Sequence, residues 1–177
     1  GMTPGWTLIG VWVNTRQCSR PVTLLTPAAR IWTPSWFRST SFGMVPDMRL
    51  LVTGGAGFIG ANFVHRALGA GHVVTVYDAL TYAGNPANLA GLSEGYDYRF
   101  VHGDVRDGAA LADAMRGHDA VVHLAAESHV DRSLVDPLAF VATNCEGTAT
   151  LCEAALDVGV ERVLHVSTDE VYGSIEV

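Results

Sequence analysis

Leu50-Leu51-Val52-Thr53-Gly54-Gly55-Ala56-Gly57-Phe58-Ile59-Gly60 is the stretch whose reading decides the fold. A short apolar run from Arg49 to Thr53 stops at a cluster of glycines, the pattern of a buried strand and its turn. Ile59, Phe63 and Ala67 follow at helical spacing, and Gly69 and Gly71 close that helix. The alternation then continues. Further strands are expected over residues 72–77, 98–102, 120–124 and 162–167, with a helix over 108–115. Pro137 is expected to open a long helix whose face is marked by Val141, Asn144/Cys145, Thr148, Leu151/Cys152 and Ala155. Strands alternating with helices make βαβ units, so the expected fold is α/β, a doubly wound parallel sheet with right-handed crossovers.

The glycines carry chemistry as well as a turn. They satisfy G-x-x-G-x-x-G at Gly54, Gly57 and Gly60, and G-x-G-x-x-G at Gly55, Gly57 and Gly60. The motif alone is weak, but here it follows a strand and opens a helix, which is the context it requires. A backbone without Cβ atoms lets a pyrophosphate approach the helix N-terminus, where free N–H groups and the helix dipole favour an anion. Asp78 ends the second strand of this unit, 18 residues after Gly60. A carboxylate there accepts hydrogen bonds from both adenosine ribose hydroxyls and repels a 2′-phosphate, and no arginine follows closely to reverse that. The expected cofactor is therefore NAD rather than NADP, on a Rossmann-type sheet.

Composition narrows the rest. The chain has 177 residues and a formal net charge of −7, which argues against a nucleic-acid backbone as partner. No apolar run approaches the roughly 18 residues that span a bilayer, so no membrane embedding is expected. Residues 1–47 stand apart. They hold all four tryptophans, five of the seven prolines, and four arginines against one acid. No period of 2 or 3.6 persists there, so an irregular extension is expected, disordered or non-native, with Met48 as the native start. Residues 48–177 carry seven arginines and 17 acids, and the whole chain has no lysine. Cys18, Cys145 and Cys152 lack metal-ligand spacing, so no metal site and a reduced, cytoplasmic compartment are expected.

Beyond the glycines, five segments narrow the family. They are Asp78-Ala79-Leu80-Thr81-Tyr82-Ala83-Gly84-Asn85, Gly103-Asp104-Val105, Leu124-Ala125-Ala126-Glu127-Ser128-His129-Val130-Asp131-Arg132-Ser133, Thr143-Asn144 and Ser167-Thr168-Asp169-Glu170-Val171-Tyr172-Gly173. With them, residues 48–175 resemble the N-terminal part of the extended short-chain dehydrogenase/reductase family, in its nucleotide-sugar dehydratase branch. The resemblance implies that Phe58 and Ile59 meet the pyrophosphate through backbone amides. It places Asp78, Ala79, Leu80 and Thr81 at the adenosine ribose, and Asp104 with Val105 at the adenine. Leu124, Ala125, Ala126, Glu127, Ser128 and Thr143 would line the nicotinamide half, with Ser128 also near substrate. Thr168 would touch the sugar, with Asp169 as acid and Glu170 as base. The implied substrate is dTDP-glucose, and the whole enzyme would be a homodimer. The family usually has lysine where Ala79 stands, so a ribose or phosphate contact is expected to be weaker here.

Asp169 discriminates within the family: related decarboxylases and GDP-mannose dehydratases usually carry serine there, and epimerases usually lack the carboxylate pair. Losing water across C5–C6 needs a base for the C5 proton and an acid for the departing hydroxyl, roles two adjacent carboxyls can divide when their pKa values are driven apart. His123 reads as a packed core histidine, His129 as part of the site wall and Tyr172 as structural. The family's Tyr-x-x-x-Lys pair, which oxidises C4 of the sugar, cannot be formed without lysine. The domain is accordingly expected to be incomplete, cut after about the fifth strand, with the C-terminal substrate region absent and an open sheet edge that favours self-association. Two functions stay open. One is part of a nucleotide-sugar dehydratase; the other is a non-catalytic NAD-binding domain, with epimerase or decarboxylase chemistry a variant of the first.

Overall fold

The computed structural model of the chain describes residues 47–167 and, for the backbone alone, residues 9–14. Its strands are β1 (Ile9–Asn14), β2 (Arg49–Thr53), β3 (Val73–Asp78), β4 (Tyr98–His102), β5 (Ala120–His123) and β6 (Arg162–Ser167). The helices are α1 (Phe58–Gly69), α2 (Gly108–Met115), α3 (Val130–Val135), α4 (Pro137–Phe140) and α5 (Gly147–Val158), with a 3₁₀ turn at Pro86–Leu89 and a π-helical turn at Val141–Glu146. The sheet order is β1-β6-β5-β2-β3-β4. The five strands β2 to β6 are parallel, and β1 alone runs antiparallel, on β6.

Why the sheet is covered on both faces follows from its residues. Leu50, Leu51, Val52 and Thr53 are all buried, an unbroken run typical of a parallel strand enclosed on both sides. Successive side chains point to opposite faces. Leu50 and Val52 join Val74, Val76 and Val122 under Ala61, Val64 and Ala67 of α1. Leu51 joins Tyr77, Val121 and Val163 under Leu111 and Met115 of α2 and Leu151, Ala154 and Ala155 of α5. Fully burying such a side chain contributes about 1.5–3 kcal/mol, so two cores of this kind supply most of the driving force.

Local signals set the helix ends. Asp107 caps α2, its Oδ1 accepting from Ala110 N at 3.1 Å. Pro137 sits in the first turn of α4, and Asp136 caps it by accepting from Ala139 N at 3.2 Å. Gly159, at φ 76°, ends α5, and Val160 N reaches back to Ala155 O.

Three expectations need correction. Residues 9–14 are not irregular: they form a strand, Ile9 opposite Ser167 and Asn14 opposite Arg162. The β-branched and aromatic content of Ile-Gly-Val-Trp-Val-Asn suits a strand, and β6 offers the unpaired edge it needs. The edge of β6 expected to be open is therefore paired. The helix expected from Pro137 is continuous in direction but not in register. Its π turn inserts extra backbone, so Leu151 and Ala155 stay buried while Val141 and Cys145, expected on the same face, are exposed. Third, α3 lies where no helix is expected, because it buries none of its residues and shows no amphipathic period.

Candidate dinucleotide site

The C-terminal ends of β2, β3, β4 and β5 open on the same edge of the sheet. The chain runs β2, β3, β4 to one side and then crosses to β5 and β6 on the other, so the strand order reverses between β2 and β5. Ligands of open α/β sheets bind outside such a reversal.

The glycines at this edge have different reasons to be glycine. Gly54 has φ +69°, and a Cβ on it would lie 2.6 Å from Ala125 N. On Gly55 a Cβ would lie 2.8 Å from Val76 Cγ1, and on Gly60 it would overlap Gly54 O. Gly54 is demanded by the close approach of the chain after β5, Gly55 by Val76 of β3, and Gly60 by the loop's own backbone. Gly57 is different: an added Cβ meets only Gly54 O, at 3.3 Å, and otherwise open space. Gly57 is also the N-cap residue of α1, and no side chain caps that helix. The N–H groups of the first turn, at Phe58, Ile59 and Gly60, have no intrahelical acceptor. The Phe58 and Ile59 side chains are exposed. The open Gly57 face and the uncapped amides make an open cradle at the start of α1.

Asp78 holds that cradle from β3. It is buried, its Oδ2 accepting from Ala56 N at 2.8 Å and its Oδ1 from Leu80 N at 2.8 Å. Each oxygen keeps a second lone pair for an incoming hydroxyl. The turn that follows is strained: Leu80 has φ 51°, and a Cβ on Gly84 would sit 2.7 Å from Asp78 Oδ1. Ala56 is gripped from its other end too, its carbonyl accepting from Asn85 N at 3.0 Å and Asn88 Nδ2 at 2.9 Å. Neither Asn85 nor Asn88 is marked by the sequence pattern, because an asparagine after a turn gives no periodic signal. Ala79 contributes its carbonyl to His102 Nε2 at 3.1 Å, and Thr81 is exposed.

At the end of β4, Gly103 lies against the buried Tyr77 ring, and Tyr77 Oη donates to Asp104 O at 3.1 Å. The Arg106 guanidinium bonds the Asp104 carboxylate and holds its pKa below the usual range. Val105 is buried in the second core, so only its backbone faces the loop.

After β5 the chain runs through Leu124, Ala125, Ala126, Glu127 and Ser128 toward α3. Asn144, in the π turn next to Thr143, pins this loop: its Oδ1 accepts from Glu127 N and its Nδ2 donates to Glu127 O, both at 2.8 Å. Glu127 Oε2 is buried without a hydrogen bond, 4.0 Å from Arg132 Nε. Glu127, Asp131, Arg132, Val135, Asp136, Ala139 and Phe140 line a groove of about 350 Å³. Arg132 also lies over the Tyr82 ring, 4.1 Å from its centroid, joining the two sides of the mouth. Ser128 and His129 are exposed. Thr168, Asp169, Glu170 and Tyr172 lie outside the described residues. Among the described residues no group of three or more His, Cys, Asp or Glu is arranged to hold a metal, and no helix is long and apolar enough to cross a membrane.

Fold and cradle together define a class, a dinucleotide-binding α/β sheet. Residues 50–177 match the model of the NAD dependent epimerase/dehydratase family, and the chain belongs to that family. It is 57% identical over 131 residues to a dTDP-glucose 4,6-dehydratase of Streptomyces griseus, covering 72% of this chain and 40% of the relative. Among solved structures it is similar to DesIV, a dTDP-glucose 4,6-dehydratase of Streptomyces venezuelae solved with NAD bound. That match has a TM-score of 0.70 and 57% identity, over 73% of this chain and 42% of that one. A UDP-glucose 4-epimerase from Brucella ovis, in complex with NAD, is more distant, at TM-score 0.66 and 32% identity over 73% of this chain and 38% of that one. The chain spans about 40% of the length of the curated relatives it matches.

Proposed function

We propose that this chain is the NAD-binding part of a nucleotide-sugar 4,6-dehydratase that converts dTDP-glucose to its 4-keto-6-deoxy product. The observation that carries the cofactor reading is the pairing of the open Gly57 face with the buried Asp78 carboxylate, which are linked through Ala56. The N–H groups at the start of α1 take the pyrophosphate, and Asp78 takes the adenosine ribose hydroxyls. Asp104 and the Val105 backbone flank the adenine, while Leu124 to Ser128 and Thr143 line the nicotinamide side. The greater identity to dehydratases than to the epimerase favours dehydration over epimerisation.

NAD held by these residues would supply a hydride acceptor for oxidation at C4 of the sugar and a hydride donor for C6. Once C4 is a ketone, the C5 proton is acidic enough for a carboxylate. Glu170 removes it, Asp169 protonates the departing C6 hydroxyl, and Thr168 holds the sugar. The tyrosine and lysine that oxidise C4 in the family are not both within these 177 residues, because no lysine is present. The test is an assay for the 4-keto-6-deoxy product. The chain alone should give none, since base catalysis contributes about 10²–10⁴-fold and substrate positioning more. Joined to the remainder of a homologous dehydratase it should turn over, and lose that turnover with Asp169→Asn or Glu170→Gln. Turnover that survives both substitutions would overturn these roles. A second reading, a non-catalytic NAD-binding domain, predicts NAD binding with no revival in the chimera.

A further inference from the structure

His123 sits at the reversal of strand order, register partner of Thr53 on β2 and of His165 on β6. Both its ring nitrogens are engaged: Nδ1 lies 2.7 Å from Thr53 Oγ1, and Nε2 lies 3.0 Å from Thr148 Oγ1. The direction of these bonds can be deduced. Thr148 Oγ1 lies 2.7 Å from Asn144 O, and a carbonyl only accepts, so the threonine hydroxyl proton is spent there. The contact at Nε2 must then be an imidazole N–H donating to Thr148 Oγ1. A neutral imidazole has one N–H, so Nδ1 accepts from the Thr53 hydroxyl. Thr53 Oγ1 in turn faces Ala125 N at 3.4 Å.

The bonds therefore run one way, from Ala125 through Thr53, His123 and Thr148 to the Asn144 carbonyl. The side chain of that same Asn144 clamps both backbone groups of Glu127. The loop from Ala125 to Glu127 is thus tied at its two ends to one hydrogen-bonded chain, while Gly54 packs against its Ala125 backbone. We propose that His123 is a positioning residue, a neutral Nε2–H imidazole whose directional hydrogen-bond chain sets the loop from Ala125 to Glu127 against the glycine turn. Burial and the neighbouring His165 ring, with centroids 5.0 Å apart, both oppose a second proton on it. The expected effect on NAD rests on the reading that this loop lines the nicotinamide.

The test uses the ¹⁵N-labelled chain. Ring NMR of His123 should show the proton on Nε2. Thr148→Val removes the acceptor at Nε2 together with the donor to Asn144 O, so the proton should move to Nδ1 and donate to Thr53, with the Ala125 and Glu127 amide signals displaced. Thr148→Ser should keep both the tautomer and the amide signals. Thr53→Val is the second probe: it should leave the proton on Nε2 yet displace the Ala125 amide. In calorimetry, Thr148→Val should weaken NAD binding about tenfold, the scale of one hydrogen bond, and Thr148→Ser about twofold at most. A wild-type proton on Nδ1, or amide signals unmoved in both valine variants, would overturn the proposal. So would unchanged NAD affinity in a Thr148→Val variant whose tautomer has moved. If the wild-type chain takes up no NAD, the functional reading fails, while the tautomer and amide signals still decide the positioning role.

Discussion

Asp78 and His123 end strands on opposite sides of β2, and both are buried, 7% and 1% exposed. They solve that burial in opposite ways. Asp78 is surrounded by donors, the Ala56 and Leu80 amides, so a carboxylate can be kept there. His123 is surrounded by hydroxyls and another imidazole, and burial with the His165 ring lowers its pKa to about 4, so it stays neutral. The two sides of the sheet therefore differ in character. The β3 side holds a carboxylate in a fixed orientation, whereas the β5 side holds a neutral imidazole.

The sharpest way to break this contrast is to delete the carboxylate. Asp78→Ala leaves two backbone donors near the loop without their charged acceptor, and hydrogen bonds to charged groups contribute about 1.5–3 kcal/mol each. A loss of about 4 kcal/mol is expected in urea unfolding; a loss under about 1 kcal/mol would mean that the carboxylate does not hold the glycine turn.

Acid titration probes the other side. Below the ordinary histidine value of 6.5 the unfolded chain takes up a proton that folded His123 refuses until about pH 4. Stability should therefore fall as pH drops from about 6.5 to about 4, by roughly 3 kcal/mol from this group, and level off below that. His118 and His165 are lowered by burial and act with the same sign. Asp104, held low first by its hydrogen bond to Arg106, loses its contribution only in more acid solution. His123→Gln should make the slope of the upper window shallower, leaving the share of His118 and His165, and spare the lower one; an unchanged slope would put the effect elsewhere. The smallest effect is expected at Asn88. Asn88→Ala removes one of two donors to Ala56 O and should cost about 1 kcal/mol, read as a small shift in the unfolding midpoint.

Much of the sheet is legible in the sequence. Tyr98–His102, Gly108–Met115 and Arg162–Ser167 match their expected bounds, because apolar periodicity and the capping Asp107 fix them locally. The glycine turn was legible as a motif, but not that Gly54, Gly55 and Gly60 serve the packing while Gly57 alone faces open space. That depends on Ala125 and Val76, distant in sequence. Likewise His123 reads as a core histidine from its strand, and its burial agrees. Its partners Thr53 and Thr148 come from other elements and carry no shared spacing. The π turn was invisible for a related reason: a helix assumed to be uniform puts Val141 and Cys145 inside, and a single slip in register turns them out. Strand β1 was hidden by prolines on either side, and tertiary pairing with β6 overrides that local signal.

The most direct test of the account is calorimetric titration of the chain with NAD and with NADP. If the buried Asp78 carboxylate takes the adenosine ribose as proposed, it repels a 2′-phosphate, and NAD should bind at least about tenfold more tightly. Equal or tighter binding of NADP would place Asp78 away from the ribose and contradict the site described for this chain.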